Sequence, residues 1–354
     1  MSVLSIQAGP AAYAKIQRDG LQAEDITAVF GASGAAKWLG IYGLDSAIFG
    51  HWLAPAKQKI FLYGTSVGAF KLAAAAQSDP VAAFKRLADS YIEQQYPEGF
   101  SRETIARENQ RIIDGLLPDK AMAEVLQSDK YLFGCGAVQC KGLLGSESLM
   151  RQRLGMVRAA LQTALPGNSP LEFTRVICAS EAARVLIKPA AGQFVPLQPA
   201  TFKQALIASG SLPVYMNGVK GLGTQSNATY RDGGLLDYHP VPENLLADTS
   251  GLVLYPHFYP HLVERWFDKF YPWRKVAAER LTNVVLISPS NEFVQTLPQQ
   301  RIPDRKDFTL YQRRDAERIS LWQRAAAQSF ELGEAFLALA RSGDIAAHVK
   351  RLGE

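Results

Sequence analysis

Apolar residues along the chain fall into two kinds of segment: short unbroken runs and longer stretches with helical spacing. The first kind is typical of buried strands and the second of helices with one buried face. A first helix is predicted over residues 10–19, because it opens with proline and ends at Gly20, which can adopt a left-handed conformation. Further helices are predicted at about 80–96, 103–127, 147–164 and 315–352, the last interrupted at 342–344.

Short β-branched and aromatic runs predict the strands, at 26–30, 60–63, 131–138, 173–178, 251–255 and 283–288. Because strands and helices alternate, we expect an α/β fold with a mostly parallel central sheet that is covered on both faces. The chain has no internal repeat and no Pro/Ser-rich linker. We therefore predict a single domain over 1–354, with a motif-bearing core at 26–240 and C-terminal strands and a helical extension at 241–354.

Composition favours an enzyme-sized globular protein. Of the 354 residues, 47% are hydrophobic and 20% are charged, and no apolar run approaches the roughly 20 residues that span a bilayer. The N-terminal segment has neither a basic start nor a continuous apolar stretch, so a cytoplasmic location is expected. Cys135, Cys140 and Cys178 lack CxxC spacing and are predicted to be buried free thiols, with no metal site.

The formal net charge of +5 is spread along the chain, which argues against a nucleic-acid site. Peripheral contact with an anionic membrane has two candidate surfaces. One is the aromatic segment 255–270, and the other is the arginine row of the C-terminal helix, Arg313, Arg314, Arg318 and Arg324. Core packing and a solvated helix face are the simpler interpretations of these two segments. Oligomeric state is left open.

Candidate chemistry begins with the segment Gly64-Thr65-Ser66-Val67-Gly68, which follows a predicted strand and precedes a predicted helix. This order is typical of a nucleophile elbow, a sharp turn that exposes a serine hydroxyl at the top of a sheet. Glycines at 64 and 68 are needed if neighbouring backbone passes too close for a side chain. Ser66 is therefore the candidate nucleophile.

A small-residue loop lies between the strand at 26–30 and the following helix. Its backbone amides can serve as oxyanion donors to a serine nucleophile, or they can cradle a phosphate, or the loop can simply pack tightly. Its spacing matches neither the dinucleotide fingerprint nor a Walker A loop. The candidate oxyanion residues are Gly31, Ser33, Gly34, Ala35, Ala36 and Lys37.

Asp232, followed by Gly233 and Gly234, is the candidate base, although Asp-Gly-Gly alone is also common in turns. A Gly-rich loop with a trailing basic residue, then GxSxG, then Asp-Gly-Gly leading to a proline resembles the patatin-like phospholipase family. The upstream stretch Ala208-Ser209-Gly210-Ser211-Leu212-Pro213 is also similar to a small-residue segment of that family. The resemblance runs from 31 to 240.

The resemblance implies a three-layer α/β/α fold and a Ser-Asp dyad, with Ser66 as nucleophile and Asp232 as base. It also implies a lipid acyl-ester substrate, an acyl-enzyme intermediate and no cofactor, and we predict calcium independence. Oxyanion donors would be amides near Gly34, Ala35 and Ala36, with Lys37 in the place of the family's basic residue. The chain departs from the family's glycines at Ala35, Ala36 and Trp38, and a bulky Trp38 would alter substrate access.

Two alternatives stay open. One is an esterase with a Ser-His-Asp triad, for which His239, His257, His261 and His348 follow the serine. The aromatic surroundings of His257 and His261 favour structural roles for both. The other alternative is a catalytically silent lipid- or partner-binding protein on the same fold.

Overall fold

A central sheet organises the chain, which is described by a computed structural model for residues 2–164, 172–223 and 227–353. The strands are β1 (Leu4–Ala8), β2 (Ile26–Gly31), β3 (Ile60–Thr65), β4 (Tyr131–Cys140), β5 (Phe173–Ala179), β6 (Gln193–Pro196), β7 (Val219–Lys220), β8 (Thr229–Asp232), β9 (Leu252–Pro256), β10 (Val284–Pro289) and β11 (Val349–Arg351).

The order across the sheet is β11-β1-β10-β9-β2-β3-β4-β5-β6, with β8 paired to the far end of β4 and β7 paired to β8. The consecutive pairs from β10 to β4 are parallel, whereas β1 and β5 run antiparallel to β10 and β4. Every residue of β3, β4, β9 and β10 is buried. Both faces of the central sheet are therefore covered, and the expected mostly parallel α/β fold is confirmed.

The helices are α1 (Pro10–Asp19), α2 (Tyr42–Ala47), α3 (Val67–Ala75), α4 (Pro80–Ile92), α5 (Arg102–Leu116), α6 (Asp119–Gln127), α7 (Leu149–Ala164), α8 (Pro199–Gly210), α9 (Asn291–Thr296), α10 (Asp307–Leu310), α11 (Asp315–Gln328), α12 (Phe330–Ser342) and α13 (Ile345–His348). Gly20 ends α1 with φ of 73°, as predicted. The Asp79 carboxylate caps α4 by accepting the Ala82 amide. All residues of α3 are buried, and this helix packs against β2, β3 and β4.

Two helix predictions were wrong in extent. The stretch 103–127 is two helices, because Pro118 lacks an amide hydrogen and adopts an extended conformation. The stretch 315–352 is three helices followed by β11, so its last residues are extended. Val349 is buried opposite Ile6, and β11 supplies backbone partners to the outer edge of β1.

Each of the two candidate membrane surfaces has side chains in the core. Phe258, Leu262 and Phe267 are buried, which confirms core packing for much of the aromatic segment. Arg318 is also fully buried and donates hydrogen bonds to the carbonyls of Ile92 and Gln94. The arginine row of the C-terminal part is therefore not a uniform solvated face.

Two other properties of the chain can be read from the structure. The three cysteines are buried free thiols, as predicted. Within the described ranges, no helix combines the length and apolar character that a bilayer crossing requires.

Candidate active site

Ser66 lies at the junction of β3 and α3 with φ of 54° and ψ of −131°, a backbone conformation that is costly for a residue with a side chain. The turn is held by contacts between glycines. A Cβ atom on Gly64 would lie 2.5 Å from the Gly68 carbonyl carbon, and one on Gly68 would lie 2.3 Å from the Gly31 oxygen. A side chain at Gly64 would separate β3 from α3, and one at Gly68 would separate β2 from α3, so both glycines are required by close approach.

The end of α8 holds the backbone of the elbow. The Ser66 amide donates to the Ser209 hydroxyl at 2.9 Å and to the Ser209 carbonyl at 3.1 Å. The same hydroxyl donates to the Gly136 carbonyl on β4 at 2.7 Å. Ser209 thus joins the nucleophile turn to the neighbouring strand. The sequence singled out this small-residue stretch, but only by its resemblance.

Asp232 ends β8 and is buried beside the elbow, with 7% of its surface exposed. Its amide donates to the Ser211 carbonyl at 3.0 Å, and its carboxylate Oδ1 accepts the Gly234 amide at 2.7 Å. The Ser66 side chain lies near enough to this carboxylate to lower its pKa. Ser66 and Asp232 are 166 positions apart in the sequence, and the fold brings them together.

Burial raises the pKa of Asp232 to about 6, because the charged carboxylate loses water. The hydrogen bonds from the Gly234 amide and Ser66, together with the positive charges of Arg305 and Lys269, act in the opposite direction. A carboxyl group in this range is largely ionised at neutral pH and still accepts a proton readily. This is the property that a general base needs.

The two glycines after Asp232 permit contacts that an ordinary turn does not need. A Cβ atom on Gly233 would lie 2.2 Å from the Gly136 carbonyl oxygen, and one on Gly234 would lie 2.6 Å from the Ser33 hydroxyl. The Asp-Gly-Gly segment does form a capped 3₁₀ turn. It also packs directly against β4 and against the small-residue loop, so the motif joins parts of one site.

Hydrogen bonds within the small-residue loop narrow the set of available donors. The Ser33 amide donates to the Tyr238 carbonyl at 2.8 Å, and the Lys37 amide donates to the Gly34 carbonyl at 3.2 Å. Within the described part of the chain, the amides of Gly34, Ala35 and Ala36 have no hydrogen-bond acceptor. These three amides are the ones free to stabilise an oxyanion.

Ala35 is accommodated in this loop at a conformational cost. Ala35 has φ of 52°, in the left-handed region that favours glycine. Gly34 before it is needed for space, because a Cβ atom there would lie 2.5 Å from the Phe258 ring. The loop therefore combines a close approach that needs glycine at position 34 with a left-handed alanine at position 35.

Lys37 and Trp38 point in different directions. The Lys37 ammonium forms an ion pair with Asp304 at 2.5 Å. Trp38 is 1% exposed, and its indole N–H donates to the Asp45 carboxylate at 2.8 Å. The bulk of Trp38 therefore lies in the core, and its predicted effect on substrate access stays a prediction.

A buried ion pair joins the helix after the elbow to the segment after the small-residue loop. The Lys71 ammonium, on α3, lies 3.0 Å from each carboxylate oxygen of Asp45, on α2, and donates to the Pro256 carbonyl at 3.2 Å. Burial raises the pKa of Asp45 and lowers that of Lys71, while their mutual attraction acts the other way. Sequence reasoning missed this pair, since neither residue belongs to a motif.

A second buried carboxylate anchors the segment after Asp-Gly-Gly. Asp237 is held by the Arg175 guanidinium through two hydrogen bonds, of 2.7 and 2.8 Å. Its backbone carbonyl accepts the Thr65 hydroxyl at 2.6 Å, and the Thr65 hydroxyl also lies 2.7 Å from that of Ser33. The residue before the serine is thereby tied to both the loop and the Asp-Gly-Gly segment.

Exposed cations lie near the mouth of the site. The Lys269 ammonium is 3.8 Å from the centre of the Trp266 ring, and the Arg305 guanidinium is 5.1 Å from that of Tyr215. Desolvation by surrounding atoms lowers the pKa of Lys269 to about 8, assisted by the charges of Arg305 and Lys37. Both residues act on Asp232 through space.

The histidines occupy structural or surface positions. His239 and His257 are fully buried with ring centres 4.3 Å apart, and their Nδ1 atoms accept the amides of Val263 and Tyr259. Burial lowers the pKa of both, that of His257 to about 3, so both rings are neutral. His261 and His348 are exposed. In the described ranges, no histidine hydrogen-bonds to Ser66.

A separate cavity of about 550 Å³ lies beside the Asp237 anchor. Its lining includes Arg175, Glu264 and Arg280, but Ser66 and Asp232 do not line it. The charges there are engaged, since Arg280 pairs with both Glu243 and Glu264. No group of three metal-binding side chains is found in the described part of the chain.

Comparisons with known proteins add little to this site. No protein-family model matches the chain, and no curated protein matches it. Among solved structures, human GIVD cytosolic phospholipase A2 is similar at 12% sequence identity and a TM-score of 0.32. The match covers 96% of this chain but only 63% of that one. A likeness at this level carries no functional argument, which must come from the residues themselves.

Proposed function

We propose that the chain is a serine hydrolase of lipid acyl esters, with Ser66 as nucleophile and Asp232 as general base. One observation carries the proposal: a serine on a strained elbow lies beside a buried carboxyl group, and burial raises the pKa of that group to about 6. The lipid character of the substrate rests on the resemblance of three ordered motifs to the patatin-like phospholipases.

Acylation begins when the Ser66 Oγ atom attacks the ester carbonyl carbon and Asp232 takes the hydroxyl proton. The carbonyl electron pair moves to oxygen, and the resulting oxyanion is stabilised by the free amides of Gly34, Ala35 and Ala36. Collapse of this intermediate breaks the bond to the alcohol oxygen. Asp232 returns its proton to that oxygen, and the acyl group remains on Ser66.

Deacylation repeats these steps with water. The water oxygen attacks the acyl carbon while Asp232 takes a proton from the water. Asp232 then gives this proton to Ser66 Oγ as the carboxylic acid leaves. The cycle consumes one ester and one water and restores both side chains. No step of this cycle uses a metal ion. We therefore predict that turnover persists in the presence of a chelator.

The test compares p-nitrophenyl esters of short and long acyl chains with wild type, Ser66→Ala and Asp232→Asn. Loss of p-nitrophenol release in both variants, with unchanged circular dichroism, is the expected result. Ser250→Ala, at an exposed serine elsewhere, is the matched control and should keep full activity. Activity that survives Ser66→Ala would refute the assignment.

Two further measurements separate the alternatives. A fluorophosphonate should add once to wild type, by intact mass, and not to Ser66→Ala. Absence of both labelling and turnover in folded wild type would favour a silent binding protein. Complete loss of turnover in folded His239→Ala or His257→Ala would favour a histidine-dependent triad.

A further inference from the structure

Helix α7 has its apolar side facing outwards. The residues that it buries against the protein are small or polar: Gln152, Gly155, Ala159 and Thr163. Large apolar residues on the same helix are exposed: Met150 by 71%, Leu154 by 55%, Val157 by 58% and Leu161 by 66%. A helix on the surface of a globular protein usually has the opposite arrangement.

The exposed residues form a continuous stripe. At about 100° per residue, positions 150, 154, 157 and 161 fall within an arc of about 60°, on the side opposite the buried residues. Their spacing of four, three and four residues is that of one helix face. The outward stripe is therefore a face of the helix and not a set of scattered apolar residues.

The inner face of α7 is firmly seated. The Gln152 side chain accepts the Val214 amide at 2.6 Å and an Arg102 guanidinium N–H at 3.0 Å. A Cβ atom on Gly155 would lie 2.7 Å from the Leu144 side chain. These contacts fix which side of the helix faces outwards.

Arginines border the stripe on both sides. On the same helical geometry, Arg151 and Arg158 fall on one flank and Arg153 on the other. Arg158 pairs with Glu172 at 3.1 Å, whereas Arg151 and Arg153 have no ion-pair partner among the described residues. The helix sequence contains no Asp or Glu. An apolar stripe between unopposed arginines is suited to a negatively charged, partly apolar surface.

This helix lies next to the candidate active site. Ala159 packs in one cluster with Leu235 and Leu236, which follow Asp-Gly-Gly directly. The Tyr271 hydroxyl donates to the Ala160 carbonyl at 2.7 Å. Two large side chains near Tyr271 in the sequence are exposed, Phe270 by 54% and Trp273 by 62%.

We infer that this surface docks the protein on an anionic phospholipid bilayer. We define the α7 face as the stripe Met150, Leu154, Val157 and Leu161 with Arg151, Arg153, Phe270 and Trp273. An amphipathic helix of this kind lies in the interface, with its apolar side among acyl chains and its arginines at headgroup level. Aromatic side chains such as Trp273 favour the same level.

Charge decides against a second copy of the chain as the occupant. Two α7 faces packed together would bring arginines against arginines, and the helix has no carboxylate to separate them. An anionic bilayer attracts each such arginine by about 1 kcal/mol. The inference deepens the proposed function and rests on it for the role of docking, but binding itself needs no turnover.

Binding is measured with Ser66→Ala protein, so that hydrolysis does not alter the vesicles. We expect co-sedimentation with vesicles of phosphatidylglycerol and phosphatidylcholine, and much weaker binding to phosphatidylcholine alone. The double variant Leu154→Ser/Leu161→Ser should lose at least about tenfold in affinity. Arg151→Gln/Arg153→Gln should lose about 20- to 30-fold on the anionic vesicles and little on the neutral ones.

Val185→Ser/Leu310→Ser is the matched control, since both of its apolar residues are exposed outside α7, and it should bind like the parent. Equal binding by the parent and the α7 variants would overturn the inference. A dimer that dissociates in Leu154→Ser/Leu161→Ser, by sedimentation equilibrium, would also overturn it and identify a second copy as the occupant.

Turnover of a soluble ester is followed separately in the Ser66-containing proteins, where the α7 variants should match wild type. Vesicle binding without any turnover would sustain docking and refute the proposed hydrolase. Turnover without vesicle binding would sustain the proposed hydrolase and refute docking.

Discussion

Two buried carboxylates lie close to the nucleophile turn and differ in their partners. Asp45 is bonded by the Lys71 ammonium and the Trp38 indole, deep beneath the elbow. Asp232, beside the serine, accepts a backbone amide and contacts a hydroxyl, and no cation bonds it directly among the described residues. Arg305 and Lys269 act on it only through space.

The comparison separates a structural carboxylate from one suited to proton transfer. A cation bonded to a buried carboxylate compensates its charge and fixes its geometry. Burial raises the pKa of both carboxyl groups, that of Asp232 to about 6, but of the two only Asp45 is fixed by a bonded cation. The largest expected effect comes from removing the proposed base. Three tests with smaller expected effects come after it.

Asp232→Asn should reduce kcat/KM by about 10³-fold or more, because the amide cannot take the serine proton. The amide oxygen can still accept the Gly234 amide, so the fold is expected to persist. Steady-state hydrolysis of p-nitrophenyl esters measures the loss. Asp248→Asn, at an exposed aspartate, should leave the rate unchanged; a loss below tenfold in Asp232→Asn would remove the residue from the mechanism.

Lys71→Met should destabilise the protein by about 3–5 kcal/mol, since it leaves Asp45 charged and unpaired in the core. Urea unfolding monitored by circular dichroism gives the change in the free energy of unfolding. Lys71→Met/Asp45→Leu should recover part of it, because no buried charge remains. If the double variant loses more free energy of unfolding than the two single variants lose together, the two residues do not act as a compensated pair.

Asp232→Asn should make the protein more stable above pH 7, by about 2–3 kcal/mol. The pKa of Asp232 is about 6 in the fold and about 3.9 in an unfolded chain, so the folded state disfavours the ionised form. The gain from Asn is nearly complete at about pH 7 and disappears as the pH falls through 6 towards 4. A gain that is independent of pH would assign the effect to something other than the charge.

The pH dependence of kcat/KM should show an acid limb near pH 6, with activity rising as Asp232 ionises. Arg305→Gln should raise this apparent pKa by a few tenths of a unit, because the positive charge that favours the carboxylate is removed. Rate profiles between pH 4.5 and 8, approximately the range that brackets both forms, measure the shift. Arg324→Gln, at an exposed arginine on α11, should not move the limb, and an equal shift would indicate a general charge effect.

Local sequence predicted much of the fold because strands, glycine turns and helix starts depend on neighbouring residues. The elbow at Ser66 and the Asp-Gly-Gly segment could be located in this way. The helix break at Pro118 was also readable in principle, since proline interrupts a helix wherever it stands in the interior. Helical spacing continues on both sides of this proline, so periodicity alone predicts one long helix there.

The remaining features depend on contacts between distant residues. Ser209 bonds the Ser66 amide across 143 positions, and Lys71 meets Asp45 although neither belongs to a motif. Arg318 has an ordinary surface composition around it, yet its helix places it in the core. The outward stripe of α7 is invisible to periodicity alone, because spacing defines a face without stating which way it points.

The pairing of β11 with β1 has a consequence for biosynthesis. Strand β1 leaves the ribosome before every other described strand, but its outer neighbour comprises residues 349–351. Its inner neighbour, β10, also lies late in the chain. During translation β1 therefore has neither strand partner until β10 has emerged, and this side of the sheet can be completed only after residues 349–351 have followed.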